Sequence, residues 1–161
     1  KEEVDGPKPV LSDINLRIPS GQFVAIVGDV GSGKSSLLSA IIGDLEHHSS
    51  PKMIAKPEVR VLRSLAFSAQ KPWLQNMSVK DNILFGKEFQ EDLYDRVLEV
   101  SCLKPDLEVF PNGDLTQIGD RGISLSGGQK ARVALARAIY TQRDLLVMDD
   151  VLSAVDNHTG T

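Results

Sequence analysis

Gly28-Asp29-Val30-Gly31-Ser32-Gly33-Lys34-Ser35 is the stretch from which the rest of the chain is read. It fits G-x-x-x-x-G-K-[ST], the phosphate-binding P-loop pattern, and Ser36 follows it directly. Phe23-Val24-Ala25-Ile26-Val27 leads in, apolar throughout, as a parallel strand buried on both faces is. Ser36 to Ile42 leads out with a helical composition, and Gly43 stands where such a helix closes. The glycines allow backbone N–H groups to curl round an anion with no Cβ in the way. A helix N-terminus adds partial positive charge. Lys34 is then expected to reach the β- and γ-phosphates of a bound nucleotide, and the Ser35 hydroxyl to ligate Mg2+. A Gly/Ser-rich turn that happens to contain lysine is the plain alternative; strand and helix on its two sides argue against it.

The 161 residues are enough for one domain with a real core. Hydrophobic content of 41% and charged content of 25% describe an ordinary globular chain. A net charge of −4 and a pI near 5.4 argue against a nucleic-acid-binding surface. Cys102 is the single cysteine, so no internal disulfide is possible and a reducing compartment is expected. No apolar run approaches the roughly 20 residues of a membrane span, and no leader peptide is visible. Membrane association is therefore expected through a partner or through sequence beyond this stretch. The missing initiator Met and the polar run up to Thr161 are expected to mark a fragment lacking both ends.

Lys1 to Pro9 is charged, contains Pro and Gly, and reads as loop. Val10 to Ile18 alternates, with Leu11, Ile14, Leu16 and Ile18 apolar, and is expected to be an antiparallel strand ended by Pro19-Ser20-Gly21. Asp44 to Pro57 is polar. Its His47-His48 pair reads as solvated loop rather than metal ligands, since adjacent residues do not face one another on a helix. Val59 to Ala69 has strand character, with Leu62, Leu65 and Phe67 apolar. Beyond it the pattern turns helical. Ser78-Val79-Lys80-Asp81 resembles a capping box opening a short helix through Phe85. Gln90 to Cys102 carries Leu93, Val97 and Val100 at helical spacing. Pro105 and Pro111-Asn112-Gly113 punctuate the stretch after Cys102. A helical subdomain, approximately residues 76–140, is thus expected between core segments 10–72 and 141–161.

Leu125-Ser126-Gly127-Gly128-Gln129 precedes a long helix to Tyr140, with Leu135, Ala138 and Ile139 on one face. Ser126 is placed to cap that helix. Either this is a simple N-cap led in by flexible glycines, or it is a second anion site built from N–H groups, a hydroxyl and an amide. Leu145-Leu146-Val147-Met148 reads as a buried strand ending in Asp149-Asp150. Carboxyl ends of parallel strands line the ligand crevice, so Asp149 is expected to hold Mg2+. A charged turn after a strand is the alternative.

In this order the motifs resemble a nucleotide-binding domain of an ABC transporter, over nearly all of residues 1–161. Gln70 matches the Q-loop glutamine, Leu125 to Gln129 the LSGGQ signature, Asp149 the Walker B aspartate, and Ser153-Ala154-Val155-Asp156 the D-loop. A finer resemblance is to the first such domain of subfamily C, the multidrug-resistance-associated type. It rests on Gln70 to Asn76, Asp81 to Gly86, Pro105-Asp106-Leu107-Glu108 and Ile118 to Gly122. The resemblance implies an α/β fold: a P-loop NTPase (RecA-like) core with a parallel sheet, a small antiparallel β part and an inserted α-helical subdomain. It also implies ATP and Mg2+ as ligands.

The family implies more about how such a site works. Two such domains would dimerise head to tail, so that Ser126, Gly127, Gly128 and Gln129 act in trans. Gln70 would contact Mg2+ and water and sense the transmembrane domains. Trp73 and Phe85 would lie near the surface receiving coupling helices, or else be core aromatics. The full-length protein would be a multi-pass membrane protein with this domain on the cytoplasmic side. The family's general base is Glu directly after the Walker B Asp; here it is Asp150, one methylene shorter. A slow, ATP-holding site is implied. Val151 stands where the family usually has Pro, and His158 lies too near the D-loop to be the switch histidine. Two functions fit: an ATPase module driving export of organic solutes, or a regulatory nucleotide sensor gating a subfamily C channel or channel regulator.

Overall fold

The computed structural model describes residues 10–45, 64–119 and 123–151. The chain divides into two compact units, Lys1–Val61 and Leu62–Thr161. The His47-His48 pair, Val59 to Arg63 of the strand-like run, and the D-loop with Asp156 and His158 lie outside the described residues.

The first unit contains helix α1, Lys34–Ile42. Gly33 stands before it at φ 91° and Gly43 after it at φ 90°, left-handed conformations that favour glycine at both ends. At the C-terminus the Gly43 N–H donates to Ala40 O at 3.3 Å and the Asp44 N–H to Ser39 O at 2.9 Å. Those two bonds satisfy carbonyls that α1 would otherwise leave open.

Two expected elements of this unit do not form. Val10 to Ile18, expected as the small antiparallel part, is irregular. So is Phe23 to Val27, expected as a buried parallel strand, where Phe23 is 86% and Val27 89% exposed. Apolar patterning expresses a demand for burial, but a strand exists only when a neighbour accepts its N–H and C=O groups. Among the described residues this unit holds no strand to do so.

The second unit is built on one long-range pairing. Strands β1, Leu65–Ser68, and β2, Leu145–Met148, run parallel with Leu65 opposite Leu145 and Ser68 opposite Met148. Ser64 Oγ donates to Asp144 Oδ2 at 2.8 Å, and the Leu145 N–H to Ser64 O at 3.0 Å, fixing the register at the leading end. The parallel sheet expected from the sequence is present here as these two strands.

The helices are α2, Val79–Leu84; α3, Glu91–Val100; α4, Lys104–Val109; and α5, Gly127–Tyr140, with a 3-10 turn at Gly113–Leu115. Ser78 caps α2 as expected, its Oγ accepting the Asp81 N–H at 3.0 Å. The longest, α5, carries α2, α3 and β1 against it. Val79 and Ile83 from α2, Val97 and Leu98 from α3, and Val133 and Ala136 from α5 form the centre of the core. Burying Ile83 or Leu103 fully makes each worth about 2–5 kcal/mol against truncation to alanine. Tyr94 and Tyr140 join the core because their hydroxyls find partners. Tyr94 donates to Asp114 Oδ2 at 3.0 Å, and Tyr140 to Glu88 O at 2.6 Å. Burial, reinforced by Asp114, pushes the Tyr94 hydroxyl far above the ordinary phenol pKa.

Candidate functional site

In the first unit the P-loop residues form a tight anion-ready turn. The Ser32 N–H donates to Asp29 O at 3.2 Å, and Gly31 adopts φ 83°. A Cβ on Gly28 would lie 2.8 Å from Ser32 Oγ, so any larger residue there would make that hydroxyl turn away. Lys34 folds its ammonium over the loop, donating to Gly28 O at 2.8 Å and Asp29 O at 2.7 Å. The cation is thereby held at the head of α1, whose first turn carries no acidic side chain to oppose the helix dipole. Val30 is at the exposed tip, and Ser35 and Ser36 begin the helix. Backbone donors, a held cation and a helix N-terminus converge on one small turn, a donor set suited to phosphate oxygens.

In the second unit the parallel register sets the chemistry. Beyond the paired strand ends, Asp149 N–H donates to Ser68 O at 2.9 Å, which brings Gln70 beside Asp150. Gln70 Nε2 donates to Asp150 Oδ2 at 3.1 Å. A cleft of about 430 Å³ is lined by Gln70, Gly127, Gly128, Asp149, Asp150 and their neighbours. Gln70, Asp149 and Asp150, expected at this chain's own nucleotide site, thus share one cleft with Gly127 and Gly128, expected to act in trans. The donor chemistry fits Mg2+, a hard ion that takes carboxylate and amide oxygens. Among the described residues no three His, Cys, Asp or Glu side chains gather as a metal cage. An ion that arrives on nucleotide phosphates needs only one or two protein oxygens. Asp149 supplies a carboxylate, and Gln70 keeps its Oε1 outside the bond to Asp150.

The LSGGQ stretch begins α5 through a reciprocal capping box. Gln129 N–H donates to Ser126 Oγ at 3.2 Å, and the Ser126 N–H to Gln129 Oε1 at 3.0 Å. The N–H groups of Gly127 and Gly128 come before the first intrahelical donor, the Lys130 N–H bonded to Ser126 O at 3.0 Å, and have no partner among the described residues. Of the two readings of this stretch the N-cap is the one that forms: the cap consumes Ser126 N and Gln129 N and does not use the two glycine donors.

Sequence reasoning gave no role to Asp106, Arg132 or Arg137. Arg132 holds Asp106 in a fork, Nε to Oδ2 at 2.7 Å and Nη2 to Oδ1 at 2.9 Å. That bond to Asp106 raises the Arg132 pKa, against the effect of burial. The one usable signal was spacing: Gln129 and Arg132, three apart, share a face of α5. Arg137 lies between Trp73 and Phe85, its guanidinium carbon 4.9 Å and 4.8 Å from the two ring centres. It also donates to Asn82 O at 2.8 Å, Asn82 Oδ1 at 2.7 Å and Trp73 O at 3.2 Å. Burial lowers its pKa. Trp73 is 59% and Phe85 44% exposed, so neither is a core aromatic.

The family model described as ABC transporter matches residues 11–153. The chain is 51% identical over 153 residues to ABC transporter C family member 8 of Dictyostelium discoideum, covering 95% of this chain and 9% of that protein. It is 51% identical over 150 residues to ATP-binding cassette sub-family C member 2 of Mus musculus, covering 93% and 9%. To ABC transporter C family member 7 of Arabidopsis thaliana it is 52% identical over 155 residues, covering 96% and 10%. The chain spans about a tenth of the length of the curated relatives it matches.

Proposed function

The chain belongs to the ABC transporter family, with relatives in subfamily C, and on that basis we propose that it is the ATP-binding and ATP-hydrolysing domain of a membrane exporter of organic solutes. Gly28 to Ser36 hold the ATP phosphates, with Lys34 countering their charge. Ser35 at the loop, and Asp149 and Gln70 at the strand ends, would be the residues to hold Mg2+, which would supply positive charge against the β- and γ-phosphates. Asp150 takes the proton of the attacking water. Ser126, Gly127, Gly128 and Gln129 offer their donors to ATP held by a second nucleotide-binding domain. The helical subdomain, approximately 76–140, and the core segments 10–72 and 141–161 serve these two roles. Trp73 and Phe85 meet coupling helices of the transmembrane domains on the cytoplasmic side. Among the described residues no helix is long and apolar enough to cross a membrane.

The observation that carries this reading is the meeting of Gln70, Asp149 and Asp150 at the carboxyl ends of β1 and β2. Asp149→Asn in the full-length protein tests it. Mg2+-dependent retention of ATP should fall by about tenfold or more, as loss of a charged metal ligand predicts. Unchanged retention would overturn it. The hold of Gln70 on Asp150 also favours a second reading, in which ATP occupies this site with slow turnover and its presence gates a channel or channel regulator. Stoichiometric ATP retention with no coupled solute movement would select that second reading.

A further inference from the structure

We propose that Asp106 is the positioning residue of the LSGGQ loop, acting through Gln129 to aim the Gly127 and Gly128 N–H groups; this rests on reading that loop as a phosphate contact. Asp106 is only 9% exposed, and a carboxylate that buried needs a partner. The two-point fork of Arg132 already supplies one. A third donor, Gln129 Nε2 at 3.2 Å from Oδ1, adds orientation. An ionised carboxylate only accepts, so Gln129 must turn its NH2 toward Asp106 and its oxygen toward the Ser126 N–H. That is the orientation the capping box requires. With the carboxylate gone, the amide is free to flip and present NH2 to another N–H, and the box opens.

The box decides where the first turn of α5 points. Ser126 N and Gln129 N are occupied within it, whereas Gly127 N and Gly128 N remain for a ligand. The glycines carry no side chain of their own to hold this turn, and a Cβ on Gly127 would meet only open space. A residue 23 positions upstream of Gln129, in the first turn of α4, therefore sets the aim of donors it does not touch.

An ion pair that merely ties α4 to α5 is the competing account, and a variant cycle in the full-length protein separates the two. Asp106→Asn should lower ATP turnover by about tenfold, as sub-ångström misplacement of a phosphate contact does, while ATP retention by the Lys34 loop is unchanged. Gln129→Ala should lower turnover comparably, and the double variant should fall no further than Gln129→Ala alone. Additive losses would overturn the proposal. Asp106→Glu keeps the charge and the Arg132 pair but shifts the carboxylate by about one methylene, and it serves if Asp106→Asn does not fold. Loss of turnover in Asp106→Glu at an unchanged melting temperature supports the proposal. Wild-type turnover, or a loss that merely follows a lowered melting temperature, overturns it. Gly128→Asp is the control for the underlying reading. If it leaves turnover intact, the LSGGQ reading itself fails; if it abolishes turnover while both Asp106 variants do not, only the positioning role fails.

Discussion

Gln70 and Asp150, eighty positions apart, are joined by one hydrogen bond, Nε2 to Oδ2 at 3.1 Å. The bond follows from the parallel register of β1 and β2, which ends both strands at the same level. Its consequence is that the residue proposed to sense the transmembrane domains holds one oxygen of the residue proposed as base. Asp150 also has a left-handed backbone at φ 53°, a conformation that Asp tolerates better than most residues.

Asp150→Glu should lengthen the reach of the carboxylate and speed hydrolysis at this site. The measurement is single-turnover hydrolysis in the full-length protein with the other site inactivated. A rise of about tenfold, or about 1.4 kcal/mol off the barrier, is expected. Mg2+ binding should barely change, since Asp149 stays in place. The left-handed backbone should cost the variant up to about 1 kcal/mol in stability. A rate that does not move would show that Asp150 does not limit the site.

Lys34→Ala removes the ammonium that folds over the P-loop onto Gly28 O and Asp29 O. Its loss should abolish measurable MgATP binding to this domain, because a charge-assisted contact to the phosphates disappears with it. Calorimetric titration checks this, and an affinity equal to wild type would refute the assignment of the loop.

Gly128→Asp places a carboxylate among the open N–H groups at the start of α5. Like charges meeting there should cost several kcal/mol in closure against an ATP-loaded partner. Coupled ATPase activity should collapse while ATP retention by the Lys34 loop survives. Selective loss of that local retention would contradict action in trans.

Arg137→Lys keeps a positive charge but loses the planar fork and the stacking between Trp73 and Phe85. Asn82 is fully buried, and its Oδ1 would keep only the Gln75 N–H at 2.9 Å. A loss of about 2 kcal/mol in stability is expected, read as the shift in a denaturant midpoint. The intrinsic fluorescence of Trp73, the single tryptophan, should shift with it. A variant as stable as wild type, with unchanged fluorescence, would show that the stack contributes nothing.

Elements whose signals are local were legible. The Ser78 cap, the helix over Glu91–Val100 and the capped start of α5 all form where spacing and side-chain chemistry place them. The buried face of α3 was legible only in part. Tyr94, Val97 and Leu98 face the core, whereas Val100 is exposed. Tyr94 is accommodated because its hydroxyl reaches Asp114, a partner twenty positions away. Helix α4 was missed because Pro105 reads as punctuation, yet at the first turn of a helix proline forfeits no hydrogen bond. Val10 to Ile18 and Phe23 to Val27 had the right alternation and apolarity for strands and formed none. Pattern states which faces seek burial but not whether a neighbouring strand is there to pair.

The sequence by itself determined the phosphate loop with its glycines and lysine, the capped LSGGQ helix, the order of the motifs and hence the family. Those signals reside in bonds between residues a few positions apart, so spacing and residue type suffice to specify them. Only the tertiary structure decided that Gln70 meets Asp150 and that Asp106 gathers Arg132 and Gln129. Such meetings depend on the register of one parallel strand pair and on which faces of α4 and α5 are buried together. Neither is written in any single stretch of the chain, because each arises only when separated segments exclude water from the same space.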